Sequence, residues 1–138
     1  AQTLAKDLKF IETFSPDMGG IGPLIPHHET PLGNYPAGSA EETIYLLSLI
    51  RLIKPNILLP ATTALGTVSP TGREDGILAG ANVVMPNLSP VSVRKKYELY
   101  ENKICTGDES AQSLAHLKAR MEAIGFNVVT DRGDIKKI

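Results

Sequence analysis

An α/β fold, built as part of a TIM-type (β/α)8 barrel, is what three features of this sequence predict. Two short continuous apolar runs, Ile57-Leu58-Leu59 and Val83-Val84-Met85, have the composition of parallel strands covered on both faces. Small polar groups (Thr62, Thr63 and Asn87) follow those runs directly, at the strand ends where α/β folds place their chemistry. Helical patterns then separate the strands, so that segments near 18–22, 57–60 and 82–85 are successive β/α units. A complete eight-unit barrel takes roughly 250 residues. The 138 residues here hold about three units plus a C-terminal helix-strand extension.

Each element has its own justification. Leu4, Leu8, Ile11 and Phe14 recur at helical spacing and predict an amphipathic helix over 2–14, ended by Ser15-Pro16-Asp17. Met18-Gly19-Gly20-Ile21-Gly22 reads as a short strand whose glycines allow close packing against other backbone. From Pro23 to Gly38, prolines and turn formers predict a long loop that carries His27, His28, Glu29 and Thr30. Ser39-Ala40-Glu41-Glu42 is a capping box that starts a helix to about Ile53, with Ile44, Leu47 and Ile50 on one face. Thr71-Gly72-Arg73-Glu74 repeats the capping-box spacing, with Glu74 placed to reach back to the Thr71 amide. Gly80 follows where that helix needs a residue tolerant of positive φ. Ser89-Pro90 predicts a cap and first helical position for residues 90–100, on which Tyr97 and Tyr100 lie one turn apart. Leu114, Leu117, Met121 and Ile124 outline a last helix closed by Gly125, and residues 126–130 read as a terminal strand.

Composition narrows the function classes. A net charge of −1 leaves no basic footprint for nucleic acid. No apolar run approaches the roughly 20 residues of a membrane span, and Arg51 and Lys54 interrupt the nearest one. The single Cys105 excludes an internal disulfide framework, and a cytoplasmic location is expected. The chain opens at Ala1 inside a helical pattern, so it is expected to be a piece of a longer protein.

Candidate chemistry has to be weighed against ordinary structure. Gly19-Gly20-x-Gly22 suggests a phosphate loop, but Pro23 and Pro26 follow where a helix N-terminus is required. His27 and His28 are adjacent on an extended segment and are expected to point apart, which does not suit one metal ion. Met18 and Met85 read as core, Tyr97 and Tyr100 as core or rim aromatics, and Cys105 as an inert thiol. Thr62, Thr63 and Asn87 could cap turns, yet two successive strands deliver them to one end, which suits a ligand. The residues yield a partial barrel with a polar ligand face. They do not name a reaction.

The stretches GIGPLIPHHETPL, LLPATTALGTVSPTGRE and GILAGANVVMPNLSP resemble the C-terminal half of radical SAM proteins of the [FeFe]-hydrogenase maturase and biotin synthase family, and more distantly methylornithine synthase. The resemblance runs through most of residues 1–138, to the final TDRGD, although biotin synthases have an arginine-bearing strand where this chain has Thr62-Thr63-Ala64. It implies the last three β/α units of a barrel whose N-terminal half carries Cys-x3-Cys-x2-Cys. Those cysteines hold a [4Fe–4S] cluster that binds S-adenosylmethionine and cleaves it to a 5′-deoxyadenosyl radical. By matching motifs, Met18, Thr62, Thr63 and Met85 would line the substrate cavity, with Tyr97 and Tyr100 closing its end. Gly22, Pro23 and Ile25 would lie beside S-adenosylmethionine. Some maturases carry an auxiliary cluster on Cys-x7-Cys-x2-Cys; here Cys105 takes the first position, but Ser113 and His116 take the others. One thiolate cannot hold a four-ligand cluster, so no auxiliary cluster and no metal are expected.

The resemblance therefore implies the substrate-binding, cluster-free part of an enzyme that acts on a small, carboxylate-bearing molecule. This piece alone would be inactive, and would associate with itself through its open edges. A methylornithine synthase-like mutase and a non-catalytic binding module are the alternatives.

Overall fold

The computed structural model describes residues 2–94, 96, 102, 104 and 110–135. Helix α1 (Gln2–Phe14) forms where the period was read, and Leu8 and Ile11 pack on the core. Phe14 does not join them. It lies exposed and stacks on Phe10, ring centroids 5.2 Å apart, because i and i+4 share one face and that face is the outer one.

Helix α2 (Ala40–Ile53) begins at Ser39, whose Oγ accepts from the Glu42 amide at 3.2 Å. Leu47 and Ile50 are buried, with Ile44 partly so, as its sequence face requires. Strand β1 (Pro60–Ala61) and strand β2 (Val83–Val84) pair in parallel, Pro60 beside Val83 and Ala61 beside Val84. On the other side a single parallel bridge joins Met18 to Leu58. Three extended segments thus lie in chain order, 18, 58–61 and 83–84. The result is a mixed α/β structure with a short parallel sheet.

Several sequence expectations need correction. The strand near 18–22 reduces to that bridge: Leu58 N donates to Asp17 O and Gly19 N to Leu58 O, both at 3.0 Å, after which the ladder stops. The apolar runs are not covered on both faces. Ile57, Leu59, Pro60 and Ala61 are buried, whereas Leu58, Val83 and Val84 are only half-buried and Met85 is exposed, so the second run in particular is continuous in hydrophobicity but not in burial. The terminal strand is absent: residues 126–130 are irregular and Val129 is 77% exposed, having no neighbouring strand to pair with.

A helix not foreseen, α3 (Thr63–Val68), follows β1 at once, and α4 (Gly72–Leu78) comes after it. The capping box proposed for α4 does not form. The Thr71 hydroxyl donates to Asp75 Oδ2 at 2.7 Å, and Glu74 turns instead to Arg120. Gly80 closes the unit with φ +118°, and a Cβ there would stand 2.8 Å from that of Arg51. Helix α5 (Val91–Arg94) starts the segment expected over 90–100, of which 95 and 97–100 lie outside the described residues. Helix α6 (Ser110–Ala123) ends before Gly125, at φ +87°.

The core gathers Leu47 and Ile50 from α2, Ile57, Leu59 and Ala61 around β1, Leu65 from α3, Ile77 from α4, and Leu117 and Met121 from α6. Burying a side chain of this size stabilises by about 1.5–3 kcal/mol. Leu117 and Met121 therefore make α6 part of the domain. Among the described residues no helix is long and apolar enough to cross a membrane.

Candidate ligand site at the strand ends

Past its C-terminal end, β1 turns straight into α3, and the two threonines sit on that corner. Thr62 is the N-cap of α3: its Oγ1 accepts from the Leu65 amide at 3.2 Å. Thr63 opens the helix, and its Oγ1 accepts from Arg73 Nη2 at 3.2 Å. One turn on, the Thr67 hydroxyl donates to Thr63 O at 3.0 Å and accepts from the Ile104 amide. Three hydroxyls thus follow one strand end. Residues 63–68 carry no helix signal because Thr, Val and Gly are weak helix formers. The capping oxygen outweighs that weakness.

Gly22 belongs to the same corner. A Cβ on it would come within 2.8 Å of Thr62 Oγ1, so the bare backbone is what lets segment 18–22 approach. Beyond it Pro23 is buried, and Gly38 N donates to Leu24 O at 2.7 Å, which ties the loop's end to its start. Ile25 and Pro26 line a cleft of about 320 Å³ with Gly33, Ala37, Thr67, Val68 and Asn102. The structure thus brings Gly22 to Thr62, and Ile25 to a cleft walled by the far turn of α3.

Met18 and Met85 are 47% and 49% exposed, a half-open setting unlike the core role their type suggests. They stand on the two segments that flank β1. Tyr97, Tyr100 and Cys105 lie outside the described residues. Ser113, in the second position of the auxiliary cysteine motif, is buried in α6. Asn87 turns its Oδ1 to the Ser89 amide at 3.1 Å, an Asx-type turn.

The histidines correct an expectation. Their rings do not point apart but stack, centroids 4.4 Å apart, since the chain turns at His27. His27 Nδ1 accepts from the Glu29 amide and its carbonyl from the Thr30 hydroxyl. Among the described residues no three His, Cys, Asp or Glu side chains converge on one point.

Arg73 is the residue that sequence reasoning missed. The capping-box spacing gives it no role, yet it is 4% exposed and its Nε is buried without a partner. Gly66 makes room for it: a Cβ there would lie 3.2 Å from Arg73 Cγ and Nε. Its place four residues before the apolar Ile77, and so on the same face of α4, was the available signal.

No protein-family model matches the chain. Individual proteins do. It is 39% identical over 135 residues, 98% of its length, to the [FeFe] hydrogenase maturase subunit HydE of Thermotoga maritima. It is 26% identical over 125 residues (91% of its length) to the 3-methylornithine synthase of Methanosarcina acetivorans, and 28% identical over 119 (86%) to that of Methanosarcina barkeri. The chain spans only 39%, 34% and 33% of the lengths of these relatives. Nearly all of it aligns with the maturase, and the resemblance read from its motifs holds: the chain resembles radical SAM proteins of the kind that HydE and 3-methylornithine synthase represent.

Proposed function

We propose that this chain is the C-terminal, substrate-binding portion of a radical SAM enzyme of the hydrogenase-maturase type. The observation that carries this is the 39% identity to HydE along 98% of the chain. Parallel extended segments in chain order, with helices between them, support its reading as the last units of a (β/α)8 barrel. In the whole enzyme the N-terminal half would close the barrel and supply the cluster cysteines. With one cysteine in 138 residues, this chain does not fit a [4Fe–4S] cluster by itself, and alone it would be inactive. The cluster and S-adenosylmethionine of the parent would supply a 5′-deoxyadenosyl radical.

The residues here would hold ligands. Thr62 and Thr63, backed by Met18 and Met85, would face a small substrate, with Tyr97 and Tyr100 at the end of the cavity. Gly22, Pro23 and Ile25 would border S-adenosylmethionine, a role supported by the bare approach of Gly22 to Thr62 and the cleft at Ile25. Alignment with two 3-methylornithine synthases favours a mutase as the second reading.

The reading frame upstream of residue 1 tests the proposal first: it should encode Cys-x3-Cys-x2-Cys. The encoded full-length protein, reconstituted with iron and sulfide, should cleave S-adenosylmethionine to 5′-deoxyadenosine under reducing conditions. A parent without that cysteine triplet would end the enzyme reading and leave a binding module.

A further inference from the structure

Arg73 is a buried cation that the described residues around it do not account for. Among the described residues no carboxylate lies within ion-pair distance of it: Glu74 pairs with Arg120, and Asp75 accepts from the Thr71 hydroxyl. Taking a charge out of water is costly unless an opposite charge or hydrogen bonds replace the solvent. Here one guanidinium nitrogen is buried with no partner, and another donates to Thr63 Oγ1 at 3.2 Å. That bond has a direction. A guanidinium carries donors only, so the hydroxyl must accept. The hydroxyl's own proton is then left to point elsewhere, and no acceptor for it is found among the described residues.

We infer that Arg73 is a positioning residue for an anion subsite at Thr63, fixing that hydroxyl as a donor and lending its charge to a bound carboxylate. The inference rests on the proposed ligand face at the strand ends and names what that face selects. The arrangement is a relay of two hydrogen bonds, guanidinium to hydroxyl to ligand oxygen. Placing the charge one hydroxyl back keeps it out of water, where attraction falls off less than at an exposed site. Gly66 is part of the device, since a side chain there would meet the arginine stem.

The probe is trifluoroacetate, titrated by fluorine NMR into the intact enzyme, with trifluoroethanol as the neutral control. Wild type should bind trifluoroacetate saturably, and Thr63→Val should weaken it at least ~10-fold. Arg73→Met and Arg73→Gln should weaken it about 10-fold while leaving trifluoroethanol unchanged, and Arg73→Lys, which keeps the charge, should recover most of the loss. Arg73→Met should add nothing in the Thr63→Val background. If Arg73→Met fails to fold, Arg73→Gln and Arg73→Lys decide the matter, with thermal midpoints checked alongside. A folded neutral variant with wild-type trifluoroacetate affinity, beside a deficient Thr63→Val, overturns the role of Arg73 and leaves the ligand face standing. Equal loss of both probes also overturns it, as structural damage. No saturable binding by wild type, or none lost in Thr63→Val, overturns the ligand face itself.

Discussion

Gly22 stands so close to Thr62 that a Cβ on the glycine would lie 2.8 Å from the threonine hydroxyl oxygen. The same oxygen caps α3 through the Leu65 amide, so one contact couples the first extended segment to the start of a helix. Gly22→Ala must displace that hydroxyl and should cost about 1 kcal/mol, within the 0.5–2 kcal/mol of a lost cap. In a Thr62→Ala background, where the obstructing atoms are gone, the same change should cost little. Urea denaturation of the four proteins measures the coupling, and additive losses would show that the contact is not limiting.

Arg120 reaches from α6 to Glu74 on α4 through both carboxylate oxygens, and also donates to the Pro70 carbonyl. The Glu74 side chain is only 12% exposed, so its removal from this pair leaves little compensation by water. Arg120→Met should destabilise by roughly 1–2 kcal/mol, in the range for hydrogen bonds to charged groups tempered by the open arginine end. Hydrogen exchange should quicken first in α6, ahead of α2. Uniform quickening would mean that α6 is held by Leu117 and Met121 alone.

In the full-length enzyme, Thr63→Val should lower substrate turnover at least ~10-fold, the scale of one well-made hydrogen bond. S-Adenosylmethionine binding, followed by equilibrium dialysis, should change by less than a factor of about 3 on the same scale. Parallel loss of both would mark Thr63 as structural.

The chain on its own should purify colourless and without iron, even after anaerobic reconstitution, because a single cysteine cannot complete a four-thiolate set. A visible charge-transfer band with one or more equivalents of iron would reveal ligands that the described residues do not supply.

Leu58, Val83 and Val84 are half-buried, and Met18 and Met85 are about half exposed, so the sheet region leaves apolar surface in contact with solvent. Among the described residues, nothing pairs with the outer edges of the segments at 18 and 83–84. At about 25 cal/mol per Å2, several such side chains represent several kcal/mol, comparable with a small domain's stability. The isolated chain should therefore associate at micromolar concentration by sedimentation velocity. A monomer with a sharp thermal transition would contradict this.

Local rules were legible where one residue answers to its near neighbours. The spacing of Leu4, Leu8 and Ile11 is enough for α1, and Ser39 caps α2 whatever lies elsewhere. Gly80 and Gly125 take the positive φ that their places after α4 and α6 demand. Such features failed when a distant group competed. Glu74 abandons its own helix start for Arg120, 46 residues away, because a guanidinium offers a carboxylate more than one amide does. Residues 126–130 have strand composition but no partner strand, and a lone strand cannot satisfy its backbone.

The sequence by itself determined α1, α2, the parallel pairing of the segments near 60 and 83, and the resemblance to radical SAM proteins, since these reside in periodicity and in motifs such as PATTALGT. Only the tertiary structure decided what the threonines are tied to. Arg73 meets Thr63 across ten residues, and Gly22 meets Thr62 across forty, through space that no spacing rule describes. Hydrogen-bond partners of that kind are set by how α3 and α4 pack over Gly66 and by which backbone comes close enough. Packing of this sort is a property of the whole fold, because each close approach depends on the volumes of side chains far apart in the chain.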